Sequence, residues 1–98
     1  MADNDSKVLK AAANAVTEID MRYRAAGIDD KEDLKPKRDA AYDAYSLARL
    51  KLLEDGILAT DADVALLDEI RLEIEEAAQT QALLIGAGRL IVALAKFV

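Results

Sequence analysis

The sequence predicts an all-α protein, an antiparallel bundle of three helices in which the last helix is much the longest. Helix-forming residues dominate its 98 positions, with only four glycines and one proline. Apolar residues recur at spacings of three and four, and no stretch shows the strict alternation of a half-buried strand. The length is that of a single domain, which we expect to span residues 1–98.

The first helix is predicted over about residues 6–26. Ser6 or Asp5 can cap its N-terminus, because a short side-chain oxygen accepts a hydrogen bond from a free N–H group of the first turn. Apolar residues follow at helical spacing, and Gly27 suits the left-handed position just past a helix end.

Residues 27–35 are predicted to be a charged linker, because they are rich in aspartate, glutamate and lysine and are followed by the only proline. Pro36 fits the first position of a helix, where its missing N–H group costs nothing. The second helix is therefore expected over about residues 36–54, with Gly56 just beyond its end.

The third helix is predicted over about residues 61–97. Thr60 and Asp63 have the spacing of a capping box, with aspartate in place of the usual glutamate. Steps of three and four then continue without a break, which favours one helix about 55 Å long. The alternative is a kink at Gly86–Gly88 that makes the last stretch a fourth helix, since each glycine costs about 1 kcal/mol relative to alanine.

The composition excludes the common catalytic and metal-binding groups. The chain contains no cysteine and no histidine, which rules out disulfides, Cys/His zinc sites, thiol nucleophiles and imidazole bases. Ser6 and Ser46 are the only serines, and neither has a candidate base. We therefore predict a protein that is not an enzyme and has no catalytic residue, cofactor or metal.

The net charge of −6 disfavours nucleic acids and anionic membrane surfaces as partners. The N-terminus lacks the basic and apolar layout of a signal peptide, so a cytoplasmic location is expected. Residues 82–98 are apolar but contain Arg89 and Lys96 and fall short of the roughly 20 residues that span a bilayer. Membrane association therefore remains only the weakest alternative.

The second half of the third helix has two apolar faces, and helices 1 and 2 can cover only one of them. Soluble monomers rarely expose a large apolar patch, so the second face predicts a partner, which is most simply a second copy in a symmetric homodimer. The residues predicted to bind this partner are Leu83, Gly86, Leu90, Leu94 and Phe97.

The first half of the same helix carries an acidic face, which predicts an alternative function. Small acidic helical chains occur among immunity and inhibitor proteins, and this chain is similar to them in size and charge. Such a protein would bind a basic partner protein in a salt-dependent way. The residues predicted for this contact are Asp68, Glu69, Glu73, Glu75 and Glu76.

Overall fold

Four α-helices form a bundle in the computed structural model, which describes residues 3–56 and 59–98. The helices are α1 (Asn4–Ala25), α2 (Ile28–Asp55), α3 (Asp61–Glu76) and α4 (Thr80–Ala95). The described residues contain no strand, so the prediction of an all-α helical bundle is confirmed. The expected arrangement of three helices with one long C-terminal helix is wrong, because that stretch forms two helices.

Hydrogen bonds between helix ends define how the helices run. The Asn4 side chain donates to Asp61 at the N-terminal ends of α1 and α3 (3.0 Å), and Arg22 joins their C-terminal ends, so these two helices are parallel. The Thr80 hydroxyl donates to Asp30 (3.0 Å), which aligns α4 in parallel with α2. Each pair packs against the other, while α2 and α3 lie on opposite corners and make no contact within the described residues.

The predicted linker at residues 27–35 is helical, because α2 begins at Ile28. Two acids in the first turn stabilise this end of the helix dipole, and the buried Leu34 anchors the segment in the core. Pro36 therefore lies inside α2, on its exposed side. The N-terminus of α1 also differs from the prediction, since Asp3 caps it by accepting from the amide of Ser6 (2.8 Å).

The predicted helix over residues 61–97 is interrupted at residues 77–79, not at Gly86–Gly88. Ala77 and Gln79 have extended backbone conformations, although neither is a helix breaker. Tertiary contacts support the turn, because Arg22 donates to the backbone carbonyls of Ala77 (2.6 Å) and Glu75 (3.0 Å). These carbonyls at the end of α3 would otherwise lack donors.

Gly86 sets the distance between α3 and α4. A Cβ atom at this position would lie 2.8 Å from Cγ1 of Ile74, which is closer than carbon atoms approach in proteins. Glycine thus allows the two helices to pack closely and brings the apolar side of α4 into the core. Buried apolar side chains of α4 and its C-terminal extension are Leu83, Ala87, Leu90, Leu94 and Phe97.

The N-terminus of α3 is fastened to the C-terminal end of the chain. Thr60 and Asp63 form the predicted capping box, and Lys96 donates to the buried carboxylate of Asp63 (2.5 Å). The hydrogen bond from Lys96 and the backbone N–H of Thr60 lower the pKa of Asp63. Asp63 therefore stays ionised and caps α3 while it holds the last turn of the chain.

Substitution of the two α4 glycines by alanine should change stability in opposite directions. Gly86→Ala should destabilise the fold, because overpacking costs roughly 1–3 kcal/mol and exceeds the gain of about 1 kcal/mol in helix propensity. Gly88→Ala should raise stability by up to about 1 kcal/mol, because its Cβ would meet no atom closer than 3.9 Å. Urea denaturation at low micromolar concentration measures both, and equal stabilisation by the two variants would contradict the packing.

Asp63→Asn should destabilise the fold at pH 7 by about 1 kcal/mol or less, because asparagine can still accept from Thr60 but loses the charge that pairs with Lys96. The folded chain lowers the pKa of Asp63, so the contribution of the carboxylate is complete above the unfolded value of about 3.9. It is lost as the pH falls through the lower folded value. Denaturation curves should therefore differ at pH 7 and approach each other as the pH falls below about 3.9; a gap that does not narrow in acid would contradict this assignment.

Candidate interaction surfaces

The predicted apolar docking face of α4 is internal. Leu83, Gly86, Leu90, Leu94 and Phe97 are all buried within the single chain. The expectation that this face needs a partner is wrong, because the turn at residues 77–79 folds α4 back so that the other three helices cover it. These residues therefore serve as core, and the argument for a homodimer through them no longer holds.

The predicted acidic face of α3 is partly paired with arginines of the same chain. Arg89 of α4 reaches across to Glu69, with Nη2 and Oε1 3.8 Å apart, and also pairs with Glu73. The guanidinium and both carboxylates remain partly exposed. This side of α3 therefore presents ion pairs to a partner, not free acids.

A second arginine neutralises other acids of the set. Arg71 lies 3.7 Å from Asp68 and 3.0 Å from Glu75, one turn away on either side of the same helix. Of the five predicted acids, only Glu76 makes no ion pair with a described residue. Five acids and two arginines leave this side of α3 with a net charge of −3, so it remains an anionic surface on which four of the acids are paired.

The outer face of the C-terminal half of α2 carries a different surface, which we call the leucine row: Leu47, Leu50 and Leu53. Their exposed fractions are 49%, 48% and 65%. At three-residue spacing they project from neighbouring positions opposite the buried Ala48 and Leu52. The sequence analysis did not identify the leucine row. It assigned the apolar stripe that includes Leu52 to the core side of this helix and did not examine the opposite side.

The leucine row is uncovered because it lies on the side of α2 that faces away from the bundle, and α2 is also longer than its neighbours. Its 28 residues extend about 42 Å, whereas the 22 residues of α1 and the 16 of α4 extend about 33 and 24 Å. The contact between Thr80 and Asp30 aligns the beginnings of α4 and α2. The last turns of α2 therefore continue past the end of α4.

Acidic side chains lie near both ends of the leucine row. Asp43 precedes Leu50 by two turns, and Glu54 follows it by about one turn, so both point to the same side of α2 as the row. Both are exposed and make no ion pair with a described residue. The row is therefore an apolar ridge with a negative charge at each end.

The outer side of α4 forms a shallow groove of about 600 Å³, which we call the α4 groove. Its apolar lining includes Leu66 of α3 and, on α4, Ile85, Gly88 and Val92. Ile85 and Val92 are 54% and 74% exposed. Because this side points away from the core, it is distinct from the buried side that the sequence analysis singled out.

The two glycines of α4 therefore have different surroundings. A side chain at Gly86 would collide with Ile74, whereas at Gly88 the nearest atom to a Cβ would be Nζ of Lys37 at 3.9 Å. Packing within the chain therefore requires a residue without a side chain at position 86, but it sets no such requirement at position 88. Gly88 leaves a notch in the groove between Ile85 and Val92, with the ammonium group of Lys37 beside it.

A third cleft, between α1 and α2, is occupied by its own charged groups. The guanidinium of Arg38 stacks on the ring of Tyr23 (4.2 Å to the centroid) and pairs with Asp39 (2.9 Å) and Asp20 (3.4 Å). The hydrogen bond to Asp39 raises the pKa of Arg38, so this side chain stays charged. The arrangement ties α1 to α2 and presents no nucleophile.

Three comparisons, with protein-family models, curated proteins and solved structures, find no match to this chain. Within the described residues, no group of three or more acidic side chains has the arrangement of a metal site. None of the helices in residues 3–56 and 59–98 is both long enough and apolar enough to cross a membrane. The leucine row and the α4 groove are the exposed apolar surfaces that could bind a partner protein.

Proposed function

We propose that this chain is a non-enzymatic protein that assembles with further copies of itself, and that the leucine row is its main contact. The observation that carries the proposal is the row itself: three leucines on one helix face, each about half exposed or more. Single exposed leucines are common on folded proteins, but adjacent ones on one face are typical of interaction sites.

The expected strength of this assembly follows from the exposed surface. Full burial of a leucine side chain contributes about 1.5–3 kcal/mol, so three half-exposed leucines offer roughly 3 kcal/mol in total. Association costs at least about 4 kcal/mol in lost translational and rotational freedom. The row therefore needs a complementary apolar surface on the other copy to bind at all, and we expect weak assembly that is detected only at the highest protein concentrations.

The proposal keeps self-association, which the sequence predicted, but assigns it to another surface. The inner face of α4 is part of the core, whereas no element among the described residues covers the leucine row on the outer face of α2. An inhibitor-like role for the acidic face has less support, because Arg71 and Arg89 already pair with four of its five acids.

Leu50→Glu should abolish self-association, because it places a charge at the centre of the leucine row. Leu72→Glu is the matched control: Leu72 is a leucine of similar exposure (44%) on α3, away from the row, and the substitution changes the net charge equally. Sedimentation equilibrium up to several hundred micromolar measures the average mass. We expect association of the wild type and of Leu72→Glu, and a monomer for Leu50→Glu.

Circular dichroism should show native helicity for both variants, since both positions are exposed. A wild-type chain that remains monomeric over the whole range would overturn the proposed function. Equal loss of association in both variants would show that added charge matters and the leucine row does not.

A further inference from the structure

We infer that the copies assemble head to tail, with the leucine row of one copy seated in the α4 groove of the next. This inference rests on the proposed function and specifies its geometry. The leucine row is an apolar ridge and the α4 groove an apolar groove, and no other element in residues 3–56 and 59–98 covers either of them. Two copies can pair through like surfaces, row with row or groove with groove, or through unlike surfaces, row with groove.

The two surfaces have similar lengths. The leucine row extends about 9 Å from Leu47 to Leu53, and the exposed Ile85 and Val92 lie about 10.5 Å apart along α4, on either side of Gly88. The row therefore fits along the groove with its central leucine at the notch of Gly88. This is the mode in which an amphipathic helix lies in an apolar groove.

Charge disfavours the pairing of two leucine rows. If two copies of α2 pack antiparallel about Leu50, residue 43 of one copy lies within about one turn of residue 54 of the other, on the same flank. Asp43 would then face Glu54, and neither has a cation among the described residues to compensate it. Like charges at such an interface lower the affinity for that arrangement.

Charge disfavours the pairing of two α4 grooves for the same reason. The ammonium of Lys37 lies beside Gly88, at the centre of the groove, and makes no ion pair with a described residue. Groove-to-groove contact would bring two such ammonium groups together. Row-to-groove contact with Leu50 at Gly88 instead places Lys37 between the two acids, about 6 Å along the helix axis from Glu54 and about 10.5 Å from Asp43, so the unlike pairing joins opposite charges.

Gly88 supports contact of the groove with an external helix. Glycine is a poor helix former, and the open space around Gly88 would accept alanine within the single chain. A missing side chain on an outer helix face allows a second helix to approach closely. A glycine at position 88 makes room for the central leucine, Leu50, of another copy in the notch.

Head-to-tail contact between unlike surfaces does not close on itself in a dimer. Each copy in a pair keeps one free row or one free groove, so a further copy can add unless the rotation closes a ring. The average mass should therefore keep rising with concentration beyond that of a dimer. A symmetric interface would instead stop at two copies.

Two variants, each lacking one of the surfaces, test this inference by complementation. Leu50→Glu removes the row and keeps the groove; Val92→Glu removes the groove and keeps the row. Each alone should weaken self-association at least tenfold. Mixed in equal amounts at several hundred micromolar, they should form a 1:1 dimer and nothing larger, because each variant supplies the surface that the other lacks. Sedimentation equilibrium gives the mass, and isotope labelling of one variant with native mass spectrometry gives the stoichiometry.

Other outcomes separate this inference from the proposed function. Normal association of Val92→Glu with loss in Leu50→Glu would mean that rows pair with rows, which overturns the head-to-tail inference and leaves the proposed function intact. A mixture of Leu50→Glu and Val92→Glu that stays monomeric would also overturn the head-to-tail inference. A wild-type chain that is monomeric throughout would overturn both. Leu72→Glu, which touches neither surface, should associate as the wild type does.

Discussion

The close packing of α4 on α3 is the constraint on which the rest of the structure depends. Gly86 lets the helices approach, because any side chain there would meet Ile74 at 2.8 Å. The approach buries the strongly apolar side of α4, including Leu90, and thereby completes the core of a chain of only 98 residues. Arg22 supports the turn that makes this possible by binding carbonyls at the end of α3.

Local signals in the sequence correctly predicted the all-α class and the start of α3, whereas tertiary contacts determine the start of α2 and the turn between α3 and α4. The capping box of Thr60 and Asp63 depends on four consecutive residues and was therefore readable. The turn at residues 77–79 has no glycine or proline, and it forms because folding back buries α4. Pro36 misled the prediction, since the buried Leu34 holds the preceding segment in α2.

The candidate site was predictable only in its chemistry. The sequence indicated surplus apolar surface, from which self-association was predicted, but it assigned that surface to the side of α4 that the core uses. Periodicity alone cannot tell which of two apolar faces a neighbouring helix covers, because this depends on helix order in the bundle. The leucine row at Leu47, Leu50 and Leu53 is exposed because it lies on the side of α2 opposite the buried Ala48 and Leu52.

The account requires that α4 packs within its own chain, independently of assembly, and native-state hydrogen exchange measures this most directly. Amides between Leu83 and Leu94 should show the same protection as the buried part of α1 at a protein concentration of a few micromolar. Protection should not increase when the concentration is raised a hundredfold. Amides of α4 that exchange freely in the dilute chain and become protected only on assembly would contradict the account.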